Sequence, residues 1–405
     1  MTRKSIGVLA ATGLLAAAIA APAAAQEGKV VNIPAGEPIT IATYGVISGP
    51  DAVLGQDWLN SVEIAVNDRD GQLLGHDIDI AAQDGLCTVE GGAQAALAIA
   101  SDPTVVGVVG SACSDETVGG INAITEAGLT AISPSATRPA LTDEGRGAAY
   151  AGFLRTAHSD AFQGAAVAEF VKDELGIDSV ATIHDGSAYA EALVGVFEGE
   201  FRTLGGTITV SEAVSKGQTD MNPVLTNVAT GNPGAIYFPI FTAEGGFIVD
   251  QHQDVAGLED VALIGSDGLF SLDFVEASGP DIEGMYLSSP NFEAFQAGYA
   301  DLLEKYLDLT GLDSPLQAFH AHGYDAANML FAAIEAVAVE NDDGSLSIDL
   351  SALREAIYAT KDFQGVTGSL TCNEFGDCGA PLIAMYEITA DVIDGDKWPP
   401  AVIWP

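Results

Sequence analysis

Positive charge is what this chain has least of: 405 residues carry 14 Lys and Arg against 57 Asp and Glu, for a formal net charge of −43. A field of that sign repels phosphate backbones and anionic lipid headgroups, which excludes nucleic acid and membrane surfaces as partners. The acids are scattered rather than blocked, and 48% of residues are hydrophobic, so the imbalance describes a folded protein with an acidic surface and not a disordered tail. The signatures of hydrolytic and nucleotide chemistry are missing too: there is no G-x-S-x-G elbow, no H-E-x-x-H and no Walker lysine. Only His320 and His322 are close neighbours among the histidines, and two such residues on a helix diverge rather than converge on a metal. His184 and Asp185 end a strand-like run beside Tyr189 without an identifiable nucleophile. We therefore expect no enzyme, no cofactor and no metal.

Long apolar runs are also absent after residue 25, so no later segment spans a bilayer. Before it, MTRKSIGVLAATGLLAAAIAAPAAA has a charged start (Arg3, Lys4), an apolar stretch over 6–20 and an A-x-A site at Ala23 to Ala25. That is an export signal, cleaved near Ala25, and it puts the mature chain in the periplasm. Pro22 interrupts a run already short for a membrane anchor, and no cysteine near the cut signals a lipid. Cysteines number four, in two neighbourhoods: Cys87 with Cys113, and Cys372 with Cys378. In an oxidising compartment this reads as two disulfides, with three pairings formally open. Zinc is the poorer reading of CNEFGDC (372–378), since no histidine completes a tetrahedral site.

The mature chain is longer than one core usually organises, so two domains are expected. Short β-rich runs alternate with amphipathic helical stretches, which is the α/β pattern. Strands over 39–47, 77–82, 105–109 and 129–133 alternate with helices over 55–68, 90–101 and 114–127 and predict one doubly wound lobe. A second series follows: helix 161–175, strand 179–184, helix 189–204, strand 207–210, helix 219–229, and strands 235–238, 261–265 and 285–289. The pattern then turns mostly helical over 292–309, 316–339 and 350–360, with strand-like runs near Val366 and Ile383. Those helices need a sheet to cover, and the first lobe is the natural one.

Ligands of open parallel sheets sit beyond the carboxyl ends of strands. Four such junctions stand out: GSACSDET (110–117), SPSATRP (133–139), IHDGSAYAEAL (183–193) and IGSDGLF (264–270). Each supplies small residues, hydroxyls or free amides at a helix start, which suits a small charged ligand. Taken in order with SGPDAVLGQD (48–57), QDGLC (83–87) and FLRTA (153–157), they resemble the type I solute-binding proteins of ABC importers, in the leucine/isoleucine/valine-binding family. The resemblance implies a Venus flytrap with crossovers near 157, 286 and 365. The lobes would comprise 38–157 plus 287–364 and 158–286 plus 365–405. It also implies a bond from Cys87 to Cys113, a monomer, and an ABC permease as partner.

Carried onto this sequence, the family's carboxylate-binding serine falls on Ser114, and the threonine that touches carboxylate and amine falls on Thr137. Ser135, beside Ala136, holds the position whose carbonyl accepts from an amine. The acidic amine partner falls on Asp267, one methylene shorter than the usual glutamate. Tyr189 matches the cleft tyrosine, and Phe241 and Phe319 fall where the family has aromatic walls. Ser114 is also a natural helix cap, Thr137 and Asp267 natural turn residues, and the two phenylalanines natural core. Departures from the family are Leu54 where an aromatic usually covers the ligand, and Asp115 and Glu116 after Ser114, whose charge opposes a bound carboxylate unless they point away. Arg138 is available to offset them or to read a second acid group. The expected ligand is a branched-chain or similar apolar amino acid. The alternative is a sensing module for an amide, an aromatic acid or another small carboxylate.

Overall fold

Uncharged β-branched runs make the sheets. ITIATYG over Ile39–Gly45 and VVGVVG over Val105–Gly110 are buried at every position, as strands covered on both faces must be. The computed structural model describes residues 29–395 and 397–405; the export segment lies outside the described residues. Two large sheets carry the chain. In the first the order is Gln72–Leu73, His76–Asp84, Ile39–Gly45, Val105–Gly110, Ala131–Ser133 and Phe153–Arg155, parallel except for the opening hairpin. In the second it is Val402–Trp404, Ile383–Glu387, Tyr286–Pro290, Ala262–Gly265, Ala235–Tyr237, Ser179–His184 and Thr207–Ala213. Its last five strands run parallel, and Ile383–Glu387 is antiparallel to both of its neighbours. Both sheets reverse their winding beside their first parallel strand, at Ile39–Gly45 and at Ser179–His184, and a crevice opens at such a reversal.

The expected α/β architecture of two doubly wound lobes is what the chain adopts, with differences at the passages between them. Tyr286–Pro290 pairs on both sides within the second sheet, so the return to the first lobe follows Pro290 instead of lying near 286. The loop closed by Cys372 and Cys378 lies against the first sheet: Arg155 donates its amide to the Gly376 carbonyl, and Cys378 donates its amide to Arg155. The last passage therefore follows that loop and not residue 365. Helix His320–Val337 covers the first sheet beside Ala52–Asn67, as the sequence pattern asks.

Helices Thr242–His252 and Leu272–Ser278 escape the sequence reading. Adjacent Gly245 and Gly246 dilute the periodicity of the first, and a Cβ at Gly245 would come 2.6 Å from the end of the Leu269 side chain, which packs close against it. The strand Val30–Ile33, paired with Leu346–Asp349, and the strand Val402–Trp404 are also unforeseen. The helix expected over 292–309 is a short 3-10 turn, Phe292–Ala294, and then Tyr299–Thr310 after Gly298. Glycine decides one helix contact: at Gly119 a Cβ would lie 1.9 Å from the Val89 carbonyl, so helices Val89–Ser101 and Ser114–Glu126 approach backbone to backbone. The cysteines pair as Cys87–Cys113, with Cα atoms 5.3 Å apart, and Cys372–Cys378.

Arg155 fastens the first passage. Its side chain is wholly buried, with Nε 2.9 Å from Asp377 Oδ1 in the Cys372–Cys378 loop. Its other nitrogens donate to the carbonyls of Ala136 and Arg138 and to the Thr142 hydroxyl. Replacing it by Met keeps the bulk but strips donors from a carboxylate and two carbonyls. Asp377 keeps some access to water, so we expect Arg155→Met to cost on the order of 2 to 4 kcal/mol, read from urea unfolding. An unchanged midpoint would refute the anchoring role.

Candidate ligand site in the cleft

Each distinctive junction delivers its residues to the gap between the sheets. From the first lobe, Val105–Gly110 ends at its sheet's reversal, and Ser111 to Cys113 lead into helix Ser114–Glu126. The first amides of a helix have no intrahelical partner and carry the positive end of its dipole. From the second lobe, Ser179–His184 leads to Tyr189, Ala235–Tyr237 to Phe241, and Ala262–Gly265 to Asp267. A small cavity between the lobes is walled by Leu54, Ser114, Ser135, Tyr189, Phe241, Asp267 and Phe319, with Ala112, Cys113 and Gly268. Gly268 is required, since a Cβ there would meet the Ile240 carbonyl at 2.6 Å. Ala136 and Thr137 are buried but do not wall the cavity. Ala136 donates its amide to Ser133 Oγ, and Thr137 accepts the Asp160 amide at its carbonyl. The Ser114 hydroxyl accepts from the Arg138 amide at 3.3 Å, and Ser135 Oγ donates to the Ala112 carbonyl.

Asp267 is held by several groups. Its Oδ1 accepts from the Tyr189 hydroxyl at 2.9 Å and from Gln163 Nε2 at 2.6 Å, while its carbonyl accepts from Gln317 Nε2 at 2.8 Å. Tyr189 also meets Ser266 Oγ at 2.6 Å. Because Gln163 uses its amino group on Asp267, its Oε1 is left to accept, so His158 Nε2, 2.8 Å away, carries the proton. Burial pushes His158 below the usual imidazole range, which keeps it neutral. Its ring stacks on Phe319 at 6.1 Å. Phe319 is fixed in turn by its amide, 3.0 Å from Asp57 Oδ2.

The lobes are closed on one another. Ala188, at the start of helix Ala188–Thr203, donates its amide to Asp115 Oδ2 at 3.1 Å, and Lys216 Nζ donates to the Cys87 carbonyl at 2.9 Å. Lys216 also lies 5.4 Å over the Phe241 ring. Asp115 thus reaches across the cleft. Glu116 turns back into its own lobe: Oε1 accepts from the Cys87 amide, and Oε2 from those of Ala112 and Cys113. The two acids that looked hostile to a bound anion are engaged with backbone donors. His184 and Asp185 do not pair: His184 Nδ1 accepts the Gly186 amide, and Asp185 Oδ1 accepts that of Ser187.

Gln163, His158, Asp160, Gln317 and Lys216 go unnoticed in the sequence, whose reading of the FLRTA junction stops at Ala157. Continuing through HSDAFQG exposes Asp160 and Gln163 three residues apart, on one face of a helix start.

Two doubly wound lobes shut on a cavity with a helix start at one side and a buried carboxylate at the other define a solute-binding protein of the Venus-flytrap kind. The chain belongs to the periplasmic binding protein family, whose profile matches residues 38–380. It is similar to the Leu/Ile/Val-binding protein BraC3 of Rhizobium johnstonii, 27% identical over 357 residues that cover 88% of this chain and 93% of that one. In structure it resembles the branched-chain amino acid transporter substrate-binding protein LivJ of Streptococcus pneumoniae, solved with isoleucine. The TM-score is 0.77 at 23% identity, covering 91% of this chain and 100% of that one. A solute-binding protein from R. palustris, solved with benzoate, gives a TM-score of 0.74 at 17% identity and covers 87% of this chain and 94% of that one.

Glu116 supplies a test of how the Ser114 loop is held. Burial pushes its carboxyl up to about 7, against the lowering effect of its three backbone donors. The folded-state value lies above the unfolded one, so the group's contribution to stability is full below about pH 4.5 and is lost as pH rises through about 7. The parent should lose up to about 3 kcal/mol over that window relative to Glu116→Gln, whose side chain does not titrate. Urea unfolding across the pH range checks this, and parallel curves for the two proteins would contradict it.

Proposed function

We propose that the protein is exported with cleavage near Ala25 and works in the periplasm as a monomer. There it captures a branched-chain or similar apolar amino acid and passes it to an ABC permease. The observation that carries this reading is Asp267: a carboxylate in the cavity wall, oriented by Tyr189 and Gln163, across from a helix start that bears Ser114. A zwitterion matches both ends. Its carboxylate meets the hydroxyl and free amides, where the dipole favours an anion, and its ammonium meets Asp267 in a charge-assisted bond. Leu54, Phe241 and Phe319 leave the remaining wall apolar. Relatives named for leucine, isoleucine and valine support the same class. Benzoate, bound by a structural neighbour, has no ammonium to offset Asp267, so the amine-free alternative is disfavoured here. The reading gives the protein no catalytic step.

Calorimetric titration with L-leucine tests it. Asp267→Asn keeps the shape and removes the countercharge, and should weaken binding by about 2 to 4 kcal/mol. Ser114→Ala should cost on the order of 1 to 3 kcal/mol. Isocaproate, which lacks the amine, should bind Asp267→Asn no more weakly than the parent, and isopentylamine, which lacks the carboxylate, should be indifferent to Ser114→Ala. Parent-like leucine binding by Asp267→Asn would reduce Asp267 to a turn residue and remove the amino-acid reading.

A further inference from the structure

Beside Asp267 lies a second carboxylate that the fold leaves short of donors. Asp160 opens helix Asp160–Glu169 and is wholly buried, yet no backbone amide and no cation pairs with its oxygens, and the neighbouring Thr137 hydroxyl is the one donor that bears on it. Around it other buried polar atoms are unpaired: Tyr237 Oη and His158 Nδ1. Buried polar atoms in folded proteins are nearly always paired, so a cluster of under-satisfied ones behind the cavity wall that Asp267 forms marks a place short of donors. Arg155 is the nearest cation, but its guanidinium is committed to Asp377, Thr142 and two carbonyls. Asp267 Oδ1 is doubly occupied, while its Oδ2 takes no protein donor among the described residues.

We propose that Asp160 and Asp267 form a two-carboxylate amine subsite that holds one proton when empty and releases it to solvent when a ligand ammonium enters. The inference rests on the amino-acid reading of the cleft and names what that reading lacks, the fate of the second charge. Two carboxylates in a water-poor site cannot both ionise cheaply, because each raises the cost of charging the other. Burial, and then the charge of Asp267, push Asp160 well above the usual carboxylate range; the Thr137 hydroxyl and the more distant Arg155 only partly offset this. The remaining groups facing the pair do not supply the missing charge. His158 is held neutral by burial, and Tyr189 and Tyr237 are pushed well above the usual phenol range by burial and by the two carboxylates. An incoming ammonium donates to Asp267, and its charge compensates the second carboxylate behind it, so the proton on Asp160 leaves for the buffer and no covalent bond of the ligand changes. The device selects by charge. An amine is welcomed twice, while an amine-free acid brings a third negative group to a pair already short of positive charge.

The sign of the pH dependence follows. The empty site holds the proton and the filled site does not, so leucine affinity should rise with pH, at most about tenfold per unit, and level off once Asp160 is ionised in the empty protein. Titrating L-leucine calorimetrically at about pH 7, in buffers of different ionisation enthalpy, counts the proton directly. The parent should release close to one per leucine, and Asp160→Asn should release none and bind leucine with an affinity nearly independent of pH. Identical heats in all buffers for the parent would overturn the inference while leaving the amino-acid reading intact, a result that needs no variant to fold. Isocaproate or benzoate binding the parent as tightly as leucine would overturn both.

Discussion

The guanidinium of Arg155 is the constraint from which the cleft takes its shape. It is a permanent cation with no access to water, so its donors must be matched within the protein. The chain meets that demand by folding three separate pieces onto it: the loop carrying Ala136 and Arg138, the Thr142 hydroxyl, and Asp377 of the disulfide-closed loop. The first piece is the segment that holds Ser135 and Thr137 behind the cavity. The third is a stretch more than two hundred residues away in sequence that closes the first sheet's edge. Position in the site and integrity of the passage between lobes are consequences of one buried charge.

Closure rests on a different balance. Polar contacts cross the cleft from Ala188 to Asp115, from Lys216 to the Cys87 carbonyl, and from Gln317 to the Asp267 carbonyl. Around Lys216 gather Asp51, Asp115, Asp185 and Glu244. Burial raises Asp51 to about 6 against the pull of Lys216, with Glu244 and Asp185 adding to the rise; burial raises Asp115 as well. One lysine facing this many acids gives a closed state that is attractive but not deep, which suits a protein that must reopen to let its solute go.

Much of this is legible in the sequence, for a definite reason. Ser114, Tyr189, Phe241 and Asp267 each follow closely on a strand whose uncharged β-branched run announces it, and in open parallel sheets the strand ends are where ligands sit. The cysteine neighbourhoods are legible because an exported chain oxidises them and few pairings exist. Gln163 and Gln317 are not legible: Gln163 reads as a solvent-facing helix residue until Asp267 of its own lobe takes its amide, and Gln317, just before helix His320–Val337, meets Asp267 only across the cleft. The second and third passages between lobes come later in the chain than the sequence suggests because the decision is tertiary. Tyr286–Pro290 reads as a strand from any viewpoint, and only its two partners show which sheet owns it. Asp115 and Glu116 read as a hazard because side-chain direction, not composition, decides whether a carboxylate meets the ligand or a backbone amide.

The acidic excess has a structural counterpart inside the protein. With so few cations available, buried carboxylates are tied mainly to backbone amides. Glu116 takes three at the Ser114 loop, and Asp57 takes Phe319 together with the Tyr306 hydroxyl. Asp325 takes the amides of Val366 and Thr367 and the Thr367 hydroxyl. Several amide donors fixed by the fold anchor such a group without a countercharge and recover part of the hydration it has lost, although burial still raises Glu116 to about 7 and Asp325 to about 6. Against that rule Asp160 stands out. It is as buried as the others and sits beside the cavity, but has been given no amide at all. A fold that ties Glu116, Asp57 and Asp325 to backbone amides gives Asp160 only the neighbouring Thr137 hydroxyl, and the donor it lacks is one that a solute can carry in.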